Sequence, residues 1–447
     1  MYKKSKYTFD IPLLDNSGII LCNLLYNTKA VIPSSDFQLS HSYYSECIPD
    51  AEHVENPLLK NGFFVYENVD ETAIAQKAIS ASIIARNRTL NITIKPTIAC
   101  NLKCIYCWEA DETGFMNEDT ADMIIELIAI KLARNEVDKV VINWFGGEPM
   151  LSYDMILATM DKIKAICFKH SVPFVGIMST NGTLLTSERV NELLKRHVYS
   201  FQITVDGTKE LHDVCRPFKS GKQSSYDVII KNLVDIRDNV RQRFLEIIFR
   251  ANVIQQFLNV KNDYYNLYKK NFGNDKRFSL LLEDVTDKGG ERINLVKDKI
   301  FDDDVGHRDS LVNELLKNDI VQHNFMNYEH GSMMCNAVLR NSFNINYDGM
   351  IYYGELMSDK WNTCIANNRC HISTFIKNDT VIDPSIDLSE HLPDCNMCLL
   401  FPICCGMLCP LSIAKSKRCT YKNNIETIRN SLLMLYRDGK LPILHSI

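Results

Sequence analysis

The 447-residue sequence holds no apolar run long enough to cross a bilayer, which excludes a membrane-spanning helix and a membrane partner as readings of the sequence. Its basic start, Met1-Tyr-Lys-Lys-Ser-Lys, runs into Tyr7 to Asp10 instead of an apolar stretch, so no signal peptide is expected and the expected location is cytoplasmic. A large excess of one sign of charge is also lacking, with 50 Lys and Arg against 55 Asp and Glu. A net charge of −5 leaves no basic footprint for nucleic acid. The hydrophobic fraction of 46% and charged fraction of 23% are those of a soluble globular protein, and the length allows two or three domains.

Cysteine is what the chain has in plenty, with sixteen. Without an export signal, that number argues for metal or cluster ligation in a reducing compartment instead of a disulfide framework. Cys22, Cys47, Cys167 and Cys215 lie outside the clustered motifs and read as small buried hydrophobes. The organising stretch is Cys100-Asn-Leu-Lys-Cys104-Ile-Tyr-Cys107, just after a short alternating strand from Asn91 to Lys95. Three thiolates on one compact loop suit three irons of a four-iron–four-sulfur (4Fe-4S) cluster and leave the fourth iron open to another ligand. Zinc is the competing reading. Structural zinc takes four ligands, and the nearest downstream histidine is His170.

Residues 1 to about 86 carry no catalytic motif. Short strands are expected at Ile11-Pro-Leu-Leu, from Gly18, at Ala30-Val-Ile and at Phe63 to Tyr66, followed by a helix from Glu71 to Arg86 capped by Asp70. From about 89 to 285 strands and helices alternate. Strands are expected at 91–96, 139–145, 173–179, 199–205, 245–253 and 277–284, and helices at 118–134, 153–169, 187–196, 226–240 and 260–271. Six such alternations predict an α/β fold with a parallel sheet, open or closed into a barrel, with helices outside. Chemistry in such folds sits at the carboxyl ends of the strands. The cysteine loop, Gly146-Gly147-Glu148-Pro149, Ser179-Thr180-Asn181-Gly182, Thr204-Val-Asp206-Gly207, and Arg250 with Asn252 all fall there. Gly146 and Gly147 lack a Cβ, which lets backbone approach a ligand. Asp206-Gly207 is also an ordinary turn pair. Residues 286–330 are polar and read as a linker with a helix near Ser310 to Asn318.

Through Cys100, Cys104, Cys107 and the Gly146-Gly147-Glu148-Pro149 motif, the sequence resembles the radical S-adenosylmethionine (radical SAM) superfamily. With its cysteine-rich C-terminal third it resembles the branch carrying a SPASM or twitch extension, which includes peptide maturases. The resemblance implies a partial (β/α)6 TIM-type barrel at 89–300. It also implies a small N-terminal α+β module at 1–88 that can help recognise a peptide, a linker at 301–330 and a SPASM-like iron–sulfur domain at 331–447. The Gly146 and Gly147 carbonyls would take the ammonium of S-adenosylmethionine, and Glu148 would hold that group or brace the loop. The backbone of Tyr106 would face adenine. Ser179, Asn181, Thr204, Asp206 and Arg250 would line the cofactor or substrate. The segment His212 to Tyr226 resembles one common in SPASM-type enzymes, whose arginine lies near the cofactor carboxylate. Arginine suits bidentate carboxylate contact, and Arg216 is preferred to Arg250 for it.

In the C-terminal third, cysteines stand at 335, 364, 370, 395, 398, 404, 405, 409 and 419. Zinc and auxiliary 4Fe-4S clusters compete here too. The resembled pattern supports one auxiliary cluster on Cys395, Cys398, Cys404 or Cys405, and Cys419. A second has only Cys335 and Cys409, because the position four residues beyond Gly349 is Gly354. Cys364 or Cys370 would complete it, or it keeps an open iron. Glu355, beside the vacant position, is the candidate base or ligand.

The activity implied is hydrogen abstraction by a 5′-deoxyadenosyl radical from a ribosomally made precursor peptide, giving a thioether or carbon–carbon cross-link, with reduced flavodoxin or ferredoxin as electron donor. The rivals are a sulfatase-maturing, formylglycine-generating enzyme and a non-catalytic, zinc-stabilised binding protein.

Overall fold

The computed structural model describes residues 2–35, 56–109, 113–221, 223–287, 291–301, 307–320, 323, 330, 332–336, 339–352, 370–378, 395–404 and 424–444. Chain contacts group them into two compact units. One takes the described residues of Asn87–His323 and Leu339–Pro384; the other takes those of Met1–Arg86, Asn324–Val338 and Ser385–Ile447. The C-terminal third is thus divided between the units.

The larger unit is built on a nine-stranded sheet. Six strands, β6 (Thr89–Ile94), β7 (Lys139–Trp144), β8 (Phe174–Thr180), β9 (Val198–Thr204), β10 (Glu246–Val253) and β11 (Phe278–Asp284), lie parallel in sequence order. Helices Glu118–Ala133, Tyr153–Lys169, Ser187–Leu194, Ser225–Asn239 and Phe257–Phe272 return the chain between them. These are the expected six alternations, with ends shifted by a few residues. The short helix Lys209–Cys215 had no counterpart among the expectations. Side-chain caps start three of the helices: Asn117 accepts from the Thr120 N–H, Thr186 from Arg189 and Ser224 from Asp227.

Alternation along the strands separates two faces. Leu90, Ile92, Ile94, Val140, Ile142, Trp144, Phe201, Ile203 and Phe249 bury one face against the helices in a single core. Each such side chain contributes about 1.5–3 kcal/mol on burial. The other face is more polar and carries Asn91, Thr93, Asn143, Ser179, Thr204, Arg250 and Asn252. A further strand, β12 (Ser342–Ile345), joins the sheet parallel to β6, and the short β13 (Met350–Tyr352) and β14 (Cys370–His371) continue it antiparallel. Gly349 makes the β12–β13 turn with φ +77°. Phe343 and Ile345 alternate with Ser342 and Asn344, the same half-apolar pattern as β6.

The smaller unit has a three-stranded antiparallel sheet, β2 (Thr8–Pro12), β3 (Gly18–Asn23) and β4 (Thr28–Pro33), and an antiparallel pair of β1 (Tyr2–Lys4) with β5 (Phe64–Tyr66). Tyr2, Ile19, Leu21, Ile32, Leu58 and Phe63 form its core. Asp70 caps the helix Glu71–Asn87, accepting from the Ala73 N–H at 3.0 Å. The buried Glu71 carboxylate accepts from the Ser5 hydroxyl and the Lys6 N–H. The outer edge of β4 is covered by the C-terminal segment: Val31 N–H donates to the Pro442 carbonyl at 2.8 Å, and Leu444 N–H donates to the Val31 carbonyl at 2.9 Å.

Cysteine-bearing segments are stitched into this same unit. The Ser82 hydroxyl donates to the His330 carbonyl, Arg86 to the Asn336 side chain at 2.9 Å, and Met333 N–H to the Ile403 carbonyl at 2.9 Å. Cys335 lies in the first of these segments and Cys395, Cys398 and Cys404 in the second.

Candidate active site

The loop after β6 carries Cys100, Cys104 and Cys107 as free thiols. Its course is fixed by backbone bonds to residues 215–219. Ile105 N–H donates to the Cys215 carbonyl at 2.9 Å, Lys103 N–H to Pro217 at 2.8 Å, and Lys219 N–H to Asn101 at 2.9 Å. The Cys100 sulfur accepts from the Leu102 N–H at 3.4 Å and lies 3.8 Å from Asn181 Nδ2. Burial pushes the Cys104 thiol up to about 12 and raises those of Cys100 and Cys107, so loading a cluster must displace their protons. Among the described residues no three His, Cys, Asp or Glu side chains are placed to hold one metal ion. Three thiols on one loop would give each thiolate its own iron in a cluster, whereas structural zinc takes four ligands.

The Gly-Gly loop after β7 docks on the start of the cysteine loop. Gly147 N–H donates to the Thr97 carbonyl at 3.0 Å, and Glu148 N–H to the Ala99 carbonyl at 2.8 Å. A Cβ on Gly147 would stand 2.3 Å from the Ala99 oxygen. One on Gly146, whose φ is +113°, would stand 2.4 Å from the Thr97 oxygen. The glycines thus serve loop-on-loop contact as well as any ligand. Their own carbonyls accept no hydrogen bond among the described residues.

Glu148 is fully buried and committed to bracing. It accepts from the Thr180 hydroxyl at 2.7 Å, the Asn181 N–H at 2.7 Å and the Met150 N–H at 3.0 Å. Burial raises its pKa, against the pull of those three donors. Of the two roles expected for it, the geometry favours bracing. Thr180 was not among the expected site residues; the signal for it lies in alternation, since Thr180 faces away from its neighbour Ser179 on β8. Ser179 is half-buried, and its side chain enters no hydrogen bond among the described residues. Asn181 donates to Asn101 at 2.8 Å and accepts from the Thr183 hydroxyl at 2.7 Å, locking the β8 loop to the cysteine loop.

The second constellation centres on the Tyr106 side chain. Its hydroxyl donates to Asp206 and accepts from Arg216 at 2.9 Å and from Asn252 Nδ2 at 3.0 Å. The other Asp206 oxygen accepts from the Asn252 N–H at 2.7 Å. Burial raises the Asp206 pKa although Arg216 pulls it down. Burial also holds the Tyr106 phenol well above its ordinary value, so Tyr106 stays a neutral donor. Arg216 is buried, and its Nε has no partner among the described residues. The Tyr106 backbone N–H and carbonyl also enter no hydrogen bond among the described residues.

His212 supports this network from behind: its Nδ1 accepts from the Asp206 N–H at 3.1 Å. Burial lowers its pKa to about 3, so the ring is neutral. His212, Asn101 and Asn252 had no role in the sequence reading beyond their places in motifs, and Thr183 had none. Arg250 donates through Nε to Asn252 at 3.0 Å, and Thr204 lies beside it in register, half-buried.

Cys335, Cys395, Cys398 and Cys404 belong to the smaller unit, whereas Cys370 is half-buried on β14 of the larger one. Glu355, Gly354, Cys364, Cys405, Cys409 and Cys419 lie outside the described residues.

Residues 94–249 match the radical SAM superfamily. The chain is 30% identical over 139 residues to an uncharacterised protein of Methanocaldococcus jannaschii, covering 31% of this chain and 46% of that one. It is 26% identical over 152 residues to a serine-type anaerobic sulfatase-maturating enzyme of Bacteroides thetaiotaomicron, covering 32% and 35%. The chain thus spans less than half the length of these curated relatives. Among solved structures, anSMEcpe with bound AdoMet and Cp18Cys peptide is similar in fold with a TM-score of 0.57 at 17% identity, covering 78% of this chain and 99% of that one. Streptococcus suis SuiB bound to precursor peptide SuiA is similar with a TM-score of 0.51 at 14% identity, covering 93% and 97%. The cysteine loop and the Gly-Gly loop docked on it both lie within residues 94–249, the part of the chain that is similar to the radical SAM superfamily.

Proposed function

We propose that this chain is a radical SAM peptide-modifying enzyme that abstracts hydrogen from a ribosomally made peptide and forms a thioether or carbon–carbon cross-link. The observation that carries the reading is the loop of three free thiols, held on both sides by the Gly146-Gly147-Glu148 and Tyr106-Asp206-Arg216 networks. When bound, the cluster and S-adenosylmethionine supply one-electron cleavage of the cofactor to a 5′-deoxyadenosyl radical.

The chain's own residues do the positioning. Cys100, Cys104 and Cys107 would hold three irons. The Gly146 and Gly147 carbonyls, without a partner among the described residues, would take the cofactor ammonium, with Glu148 bracing them from behind. The backbone of Tyr106 would face an adenine edge, and Arg216 Nε, without a partner among the described residues, is a donor suited to a carboxylate. The neutral Tyr106 hydroxyl ties the cysteine loop to the ends of β9 and β10, which keeps the loop placed during turnover. Auxiliary clusters on the cysteines of the C-terminal third are proposed as electron relays, with reduced flavodoxin or ferredoxin as donor. The likeness to structures holding peptides supports a peptide substrate.

A second reading, formylglycine formation in a sulfatase, is favoured by the match to serine- and cysteine-type anaerobic sulfatase-maturating enzymes.

The test is anaerobic reconstitution of the parent and a Cys100→Ala/Cys104→Ala/Cys107→Ala variant, with iron, 5′-deoxyadenosine and peptide mass measured. The variant is expected to lose about four irons and all 5′-deoxyadenosine. A parent that binds zinc and makes none overturns the reading. A product lighter by two hydrogens that carries no hydrazide-reactive aldehyde supports cross-linking; a hydrazide-reactive aldehyde at a former cysteine or serine supports formylglycine.

A further inference from the structure

On the face of the sheet turned away from the helices, one rung crosses three strands. Asn344 of β12 lies opposite Thr93 of β6, and Thr93 lies opposite Asn143 of β7. Ser342 is on the same face one step back, and Asn346 follows Asn344 at the first position of the β12–β13 turn. Thr93, Ser342 and Asn344 are 8%, 6% and 8% exposed. The side-chain oxygens of Asn143, Asn344 and Asn346 are all buried without a hydrogen-bond partner among the described residues. Asn143 has one long bond, Nδ2 to the Thr93 hydroxyl at 3.5 Å.

Buried carboxamide oxygens without partners are rare, because each forfeits its hydration for nothing. Three such oxygens on neighbouring positions are a site waiting for N–H donors from outside. Their place gives the site its use. Asn143 stands three residues before Gly146, and Thr93 seven before Cys100, so the rung lies on the two strands that carry the Gly-Gly and cysteine loops. The set contains no Asp, Glu, Lys or Arg. A charged group buried among neutral amides would lose more solvation than they return, whereas a neutral amide offers the matching N–H.

We infer that the Asn143–Thr93–Asn344 rung, with Asn346, is a substrate-binding floor that holds a neutral amide of the peptide beneath the reacting position. The amide is a backbone peptide group or an Asn or Gln side chain, which share this chemistry. The inference rests on the peptide reading above and deepens it by naming what the barrel recognises.

The test uses reconstituted full-length protein with S-adenosylmethionine and a pooled library of synthetic cysteine-containing peptides, half of the pools free of Asn and Gln. The parent is compared with Asn143→Leu and Asn344→Leu for iron content, peptide-free 5′-deoxyadenosine formation, thermal midpoint and KM for the retained peptides. Iron and peptide-free 5′-deoxyadenosine should stay at parental levels, KM should rise about tenfold in each variant, and the thermal midpoint should hold or rise. A merely structural pair of asparagines would lower the midpoint, and that result overturns the inference. So does a KM within about twofold of the parent in both variants. In the parent, preference for pools with Asn and Gln assigns the partner to a side chain, and its absence to the backbone. If the parent makes 5′-deoxyadenosine yet retains no peptide, the peptide reading itself falls; if parent and variants retain peptides equally, only the floor does.

Discussion

At the scale of single residues, the site is governed by atoms that are missing as much as by those present. Gly147 leaves room for the Ala99 carbonyl, and a methyl at 2.3 Å from that oxygen has nowhere to go because its neighbour is backbone. Gly147→Ala should therefore shift the cysteine loop. The expected result is a folded protein that loses about four irons on reconstitution, read by iron assay and visible absorbance. Glu148 makes the complementary case. Its two oxygens accept three hydrogen bonds while fully buried. Glu148→Gln turns one acceptor into a donor facing another donor, and should cost ~1–3 kcal/mol in urea unfolding with weaker binding of S-adenosylmethionine. The sequence shows Glu148 as a motif residue but not its work. A carboxylate after two glycines reads equally as a ligand or a brace, and only the Thr180 and Asn181 donors from a strand 32 residues on decide between them. Tyr106 is similar: its backbone was the expected asset, and its hydroxyl turned out to join four elements.

At the scale of elements, the parallel strands and their helices were legible because burial on one face forces alternation in strands and a 3.6-residue period in helices. β12 was not, since four residues with two apolar positions carry too short a signal to reveal which sheet they join. The helix Lys209–Cys215 was missed for the same reason, and with it the role of His212. That histidine gives the element a pH signature. Its pKa is held at about 3 when folded, against 6.5 as the ordinary value, because the ring is buried beside Arg216. Between those limits the unfolded chain binds a proton that the folded chain refuses, so this contribution to stability is whole above about 6.5 and is lost as pH falls. Urea midpoints at about pH 7 and about pH 5.5 should differ by ~1 kcal/mol more in the parent than in His212→Asn, which keeps an acceptor for the Asp206 N–H but cannot titrate. Equal differences would show that His212 is not the source.

At the scale of the whole molecule, the sequence suggested consecutive blocks, while contacts join the first 86 residues to the segments bearing Cys335, Cys395, Cys398 and Cys404. No local pattern reports such long-range pairing; it rests on bonds between residues some 250 positions apart, such as Arg86 to Asn336. A chain lacking residues 1–86 should therefore lose the supports of those cysteines. Reconstituted iron should fall to about four per chain, the cluster of the barrel remaining, with 5′-deoxyadenosine formation from a chemical reductant retained. Full iron content in the truncated chain would show that the auxiliary cysteines need no help from the N-terminal module.

The covered edge of β4 bears on how this protein should be handled in the laboratory. Pro442 to Leu444 occupy the edge on which an incoming strand would otherwise zip. A purification tag appended after Ile447 is consequently tethered to a working part of the sheet, and a peptide seeking that edge has to evict the chain's own tail first. Protease nicking of the tail, faster with a bound peptide than without, would report that exchange directly, and an N-terminal or cleavable handle is the sounder choice for any binding measurement.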